Sequence, residues 1–85
     1  MAPGMEARLH ETARADALRD ALMHLPHRQR QAVVLRHVEG HANPEIGAMM
    51  GIGTGAVESL VARGKRRLTA LLAPRREELG NDDAI

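Results

Sequence analysis

The sequence predicts an all-α domain of four helices with no strands, and three observations predict it. The chain contains no Phe, Tyr, Trp or Cys, so its core must come from Leu, Ile, Val, Ala and Met. Such side chains interlock well between helices, whereas sheets draw on aromatic and β-branched residues. Apolar residues recur at three- and four-residue steps, the mark of a helix with one buried stripe. Breaks fall at Pro26, between Gly40 and Pro44, between Gly51 and Gly53, and at Pro74, dividing the chain into four such stretches. At 85 residues there is room for a single small domain with a thin core.

The first stretch carries Leu9, Ala13, Ala17, Leu18, Ala21, Leu22 and Leu25 on one helical stripe, and Pro26 ends it or occupies the turn beyond. The second covers residues 27–38, where Ala32, Val34, Leu35 and Val38 can share a face and Gly40 suits a left-handed C-terminal cap. The third is short, residues 44–50, with Asn43 as its expected N-cap and Pro44 at its first position. The fourth runs from about residue 54 to 72 and is expected to stop before Pro74. Residues 1–8 and the acidic stretch 74–85 are expected to be flexible ends around a domain at 9–73.

Charge is distributed unevenly. Residues 1–24 carry −1 and residues 25–50 carry +1; residues 51–76 hold six Lys or Arg against one Glu, and residues 77–85 hold four acids and no base. A locally basic stretch in a nearly neutral molecule is suited to holding a polyanion. Other classes are disfavoured. Without cysteine there is no disulfide framework and no Cys-based zinc site. No apolar run approaches the length of a membrane span and no signal-peptide pattern opens the chain, so a cytoplasmic location without membrane attachment is expected. His24-x-x-His27 and His37-x-x-x-His41 straddle turns and have no carboxylate placed third, so solvated histidines are expected and no metal. No nucleophile has a base at recognisable spacing, so neither an enzyme nor a cofactor is expected. Met49 and Met50 fit core or turn packing better than a partner surface.

The last two stretches form a helix-turn-helix, the unit that lays its second helix in the DNA major groove. Ile46, Met50, Ile52, Val57, Leu60 and Val61 would face inward, Gly47 is small where the second helix crosses, and Gly51 supplies the turn. On the last helix Val57, Leu60, Val61, Gly64, Leu68, Leu71 and Leu72 make the apolar stripe. The opposite face reads Gly55, Ser59, Ala62 and Arg66, with Glu58 and Arg63 beside it. That face is small at its N-terminal half, where backbone must approach base edges, and basic farther along, where long side chains can reach phosphates.

The segments LPHRQRQAVVLRHVEG and NPEIGAMMGIGTGAVESLVARGKRRL resemble region 4 of bacterial RNA polymerase sigma factors, most closely the extracytoplasmic-function (ECF) group of the sigma-70 family. The resemblance covers residues 17–72. It implies a compact four-helix domain of the winged-helix-like, sigma region 4 type that reads the −35 promoter element and docks on the β-subunit flap of RNA polymerase. It places Gly55, Glu58, Ser59, Ala62 and Arg63 toward the bases, and Arg36, Asn43, Thr54 and Arg66 toward phosphates. Glu58 can accept from a cytosine amino group, and Arg63 can donate to guanine or a phosphate.

Some positions depart from the family. Gly53 and Ala42 stand where Ser is usual, with Asn43 expected to take over the second cap. Gly64 stands where Ala is common, at a helix-propensity cost of up to ~1 kcal/mol. Nothing resembles region 2, so the chain is expected to be either a piece of a longer sigma factor or a stand-alone region 4 protein. Two other readings compete. One is an interaction module captured by an anti-sigma factor. The other is the output domain of a transcriptional regulator, which would dimerise through a helix after the recognition helix. Here the additional helix comes first, which favours a monomeric region 4.

Overall fold

The computed structural model describes the backbone of residues 4–75 and the side chains of residues 12–74. Four α-helices follow one another: α1 (Gly4–Met23), α2 (His27–Val33), α3 (Asn43–Met50) and α4 (Thr54–Leu72). A π-turn, Val34–Val38, continues α2, and a 3₁₀ turn, Ala73–Arg75, follows α4. No strand occurs among the described residues.

Helix α4 is the hub, packing against α1, α2 and α3. Its Leu68 and Leu72 join Ala17, Ala21, Leu25 and Val33 in the principal core, with Leu18, Leu22 and Leu71 packed around it. Toward the other end, Ile46 of α3 and Val57 of α4 are fully enclosed, so the helix-turn-helix carries its own apolar clamp. Leu60, Val61, Met50 and Ile52 are half-buried beside it. Among the described residues every buried side chain is a hydrophobe, as suits a small core.

Several expectations are corrected. Helix α1 begins at Gly4, two residues ahead of Glu6, where the periodic stretch EARLHETARADALRDALMHL starts. Met5, Glu6, Ala7 and Arg8 favour helix, and extending a formed helix costs little. Ala13 is exposed rather than on the buried stripe; the side chain of Leu9 lies outside the described residues, as do residues 1–3 and 76–85 of the expected flexible ends. Val33 rather than Val38 belongs to the core, and Val38 is 65% exposed. The π-turn explains this. The Glu39 N–H donates to the Val34 carbonyl five residues back (3.0 Å), widening the turn and rotating Val38 off the stripe that a 3.6-residue period would give it. The N-cap of α3 is Ala42, not Asn43. Alanine has no side-chain acceptor, so only the returning half of a capping box forms, the Ala42 N–H donating to Glu45 Oε1 (2.9 Å). Pro44 thus stands second in the helix, where its missing N–H is still harmless. Met49 is 54% exposed, leaving only Met50 in the packing. Helix α4 ends at Leu72, before Pro74, as expected, and a 3₁₀ turn then carries the chain through Pro74.

Gly64 also acquires a reason. A Cβ at this position would lie 2.5 Å from Val33 Cγ2, so the absent methyl lets α2 approach α4. Val33 is buried and stiff at χ1 in a helix, so it cannot swing clear. For Gly64→Ala the overpacking cost of about 1–3 kcal/mol exceeds the propensity gain of about 1 kcal/mol. A net loss of about 1 kcal/mol is expected, read as a fall in Tm of several degrees. Adding Val33→Ala should cost less in the Gly64→Ala background than alone, which a double-mutant cycle measures.

Candidate nucleic-acid interface

The turn between α3 and α4 sets the presentation of α4. Gly51 adopts a left-handed φ of 71°, and the Ile52 N–H returns to the Gly47 carbonyl (2.9 Å), closing α3 in a Schellman-type cap. Gly47 lies directly beneath the loop: a Cβ there would sit 2.7 Å from the Ile52 carbonyl oxygen. From α2, Arg28 Nη2 donates to the Met50 carbonyl (3.4 Å), placing a cation at the C-terminal end of α3, where the helix dipole favours it. The turn is therefore held from below by a missing side chain and from the side by an arginine.

Gly53 caps α4 with extended backbone and offers no side-chain acceptor. The first N–H groups of α4 are left without a side-chain cap at the positive end of the helix, a ready anion-binding geometry. Beyond them Gly55, Glu58, Ser59, Ala62, Arg63 and Arg66 are all exposed. From Gly55 to Arg66 this face extends about 16 Å along the axis. In its first half Gly55 faces open space, where an added Cβ would meet nothing within 4 Å, beside exposed Glu58 and Ser59. Its second half is cationic, with Lys65 and Arg67 exposed on either flank of Arg66. Among the described residues, Glu58, Arg63, Lys65, Arg66 and Arg67 have no ion-pair partner.

The five residues expected to face the bases thus share one exposed face, with Thr54 at its start and Arg66 in its shaft. The other two expected phosphate contacts stand apart. Arg36 is exposed in the π-turn, whose His37 lies near Lys65 on the flank of α4's basic half. Asn43 is half-buried at the start of α3, its Oδ1 enclosed without a hydrogen-bond partner. Two of the histidines take local polar partners. His41 Nε2 lies 3.3 Å from Glu39 Oε1, and Arg30 Nη2 donates to His27 Nδ1 (3.2 Å).

A second surface escaped the sequence reading. An open groove between α1, the end of α2, the π-turn and α4 is lined by Leu18, Leu22, Val33, Val38 and Leu68, together with His37 and Lys65. Partial burial, then the charges of Lys65 and Arg36, hold the His37 imidazole below its usual pKa, so folding favours its neutral form. Leu68 and Arg66 point to nearly opposite sides of α4, so the groove and the exposed face back onto one another across a single helix.

A short supporting helix, a glycine turn and a second helix with a small-then-basic outer face define a helix-turn-helix DNA-binding domain. Residues 15–68 match the family Sigma-70, region 4, and the chain belongs to that family. It is 38% identical over 76 residues to the ECF RNA polymerase sigma factor SigE of Mycolicibacterium smegmatis, covering 89% of this chain and 30% of that protein. It is 41% identical over 58 residues to the ECF RNA polymerase sigma factor SigM of Mycobacterium tuberculosis, covering 68% of this chain and 30% of that protein. It is also 47% identical over 55 residues to the RNA polymerase sigma factor CarQ of Myxococcus xanthus, covering 65% of this chain and 32% of that protein. The chain thus spans about a third of the length of these relatives. No solved structure matches it. Among the described residues no helix is long and apolar enough to cross a membrane.

Proposed function

We propose that this domain binds the −35 element of bacterial promoters as the region 4 module of an ECF-type sigma factor, directing RNA polymerase to its start sites. The observation that supports the reading is the outer face of α4, with small Gly55, Ser59 and Ala62 toward its start and cations beyond, none of its charges ion-paired among the described residues. Glu58 and Arg63 are assigned to base edges, with Gly55, Ser59 and Ala62 allowing the approach. Thr54 and Arg66 take phosphates, and Arg36 reaches the backbone flanking the basic half of the helix. For RNA polymerase, the apolar groove beside the π-turn is the surface proposed to receive the β-subunit flap. Because it backs onto the recognition face, DNA and polymerase can be held at once.

Selection of bound duplexes from a randomised −35 library tests the assignment. Glu58→Ala and Arg63→Ala should each relax preference at one position, costing about 1–3 kcal/mol there. Arg66→Ala should instead weaken all sequences alike and lower the salt slope of binding by about one. If neither Glu58→Ala nor Arg63→Ala alters sequence preference, the base-reading assignment is wrong.

A further inference from the structure

The cations on the outer face of α4 have no partner among the described residues, yet the sequence supplies anions immediately downstream. Glu77, Glu78, Asp82 and Asp83 follow with no base among them. We propose that this acidic segment is an intramolecular competitor for the basic face of α4, lowering the domain's affinity for nucleic acid until a stronger polyanion displaces it. The proposal rests on reading that face as a polyanion surface.

Three physical features support the pairing. The segment is rooted at the far end of α4, where the 3₁₀ turn ends at Arg75. Arg63 lies twelve residues back from that root, about 18 Å along the helix, while the eight residues 76–83 can span up to about 26 Å. Both acidic pairs are therefore within reach of the shaft, and Asp82 and Asp83 can extend as far as Arg63. The second feature is the helix dipole. Carboxylates are disfavoured at the C-terminal end of a helix, so they are repelled from their own root and drawn toward Arg67, Arg66 and Arg63. The third is tethering. A short linker gives an effective concentration in the millimolar range, so even weak pairing competes with DNA at ordinary concentrations.

The absence of cysteine makes a direct test straightforward. Ala84→Cys in the full chain provides a unique site for a nitroxide label. The amide signals of residues 63–67 should broaden more than those of residues 12–22 on α1. Adding heparin, or replacing the acids together (Glu77→Gln, Glu78→Gln, Asp82→Asn, Asp83→Asn), should restore them. The same neutral variant, unlabelled, should bind duplex DNA about 3- to 10-fold more tightly at low salt, with the gap closing as ionic strength rises. Broadening confined to residues 70–75, or broadening that neither heparin nor neutralisation relieves, overturns the proposal. If heparin releases the label but no promoter duplex does, the competitor stands and the promoter reading fails.

Discussion

Gly47→Ala is expected to cost about 3 kcal/mol of stability, at the upper end of the usual range for overpacking. The reason is the identity of the obstacle. The new Cβ would lie 2.7 Å from the Ile52 carbonyl oxygen, a backbone atom with no rotamer to change. The same residue's carbonyl accepts the Ile52 N–H at 2.9 Å, so moving the loop away stretches the bond that closes α3. For a domain this small, total stability is on the order of 5–10 kcal/mol, and the loss should lower Tm by roughly 15 °C. With no Trp or Tyr, far-UV circular dichroism is the suitable probe. Gly51→Ala is the control. It faces open space but has φ 71°, so its expected cost is the left-handed penalty of about 1–2 kcal/mol. A Gly47→Ala penalty smaller than that of Gly51→Ala would mean the loop yields freely, and the close approach would not be what sets the angle of α4.

These two glycines also show what the sequence makes visible. The helix-turn-helix is legible because its determinants are local. A glycine turn, an apolar stripe at helical spacing and a long final helix fall within one short segment, and α4 spans Thr54–Leu72 as its periodicity indicates. Its outer face is legible for the same reason, since the position of the buried stripe fixes the exposed one. What was not legible depends on contacts distant in sequence or on a departure from regular geometry. Gly64 reads as a poor helix former until Val33, on another helix, is seen to fill the space of its missing methyl. Val38 reads as core because a 3.6-residue period puts it there, and no residue type in VLRHV announces a π-turn. Asn43 reads as a cap because its side chain suits the role, yet the helix starts one residue earlier and Glu45 provides the returning hydrogen bond. The groove was out of reach because four elements must converge before it exists.

The same helix that organises the core carries the proposed recognition face, which normally makes loss of binding hard to separate from loss of fold. Gly55→Leu separates them. Gly55 is exposed in the first turn of α4, and a Cβ there meets no atom within 4 Å, so the fold has space for the side chain. Leucine is also the better helix former, and stability should be unchanged or raised by up to about 0.8 kcal/mol. Binding should respond in the opposite sense. If the tip of α4 enters the major groove, an isobutyl group there holds the helix off the base edges. The contacts assigned to Glu58 and Arg63 are then both strained, each worth about 1–3 kcal/mol, and affinity for a −35 duplex should fall about 100-fold. Gly55→Ala, one methyl larger than the native residue, should lie between. Fluorescence anisotropy with a labelled duplex, run beside thermal melts of the same preparations, reads both quantities. A Gly55→Leu protein that binds as tightly as the native one would place the approach surface away from the tip of α4, and with it the base-reading roles of Glu58 and Arg63. A protein that melts higher while binding far more weakly is the outcome that a recognition helix requires, because no defect in packing can produce it.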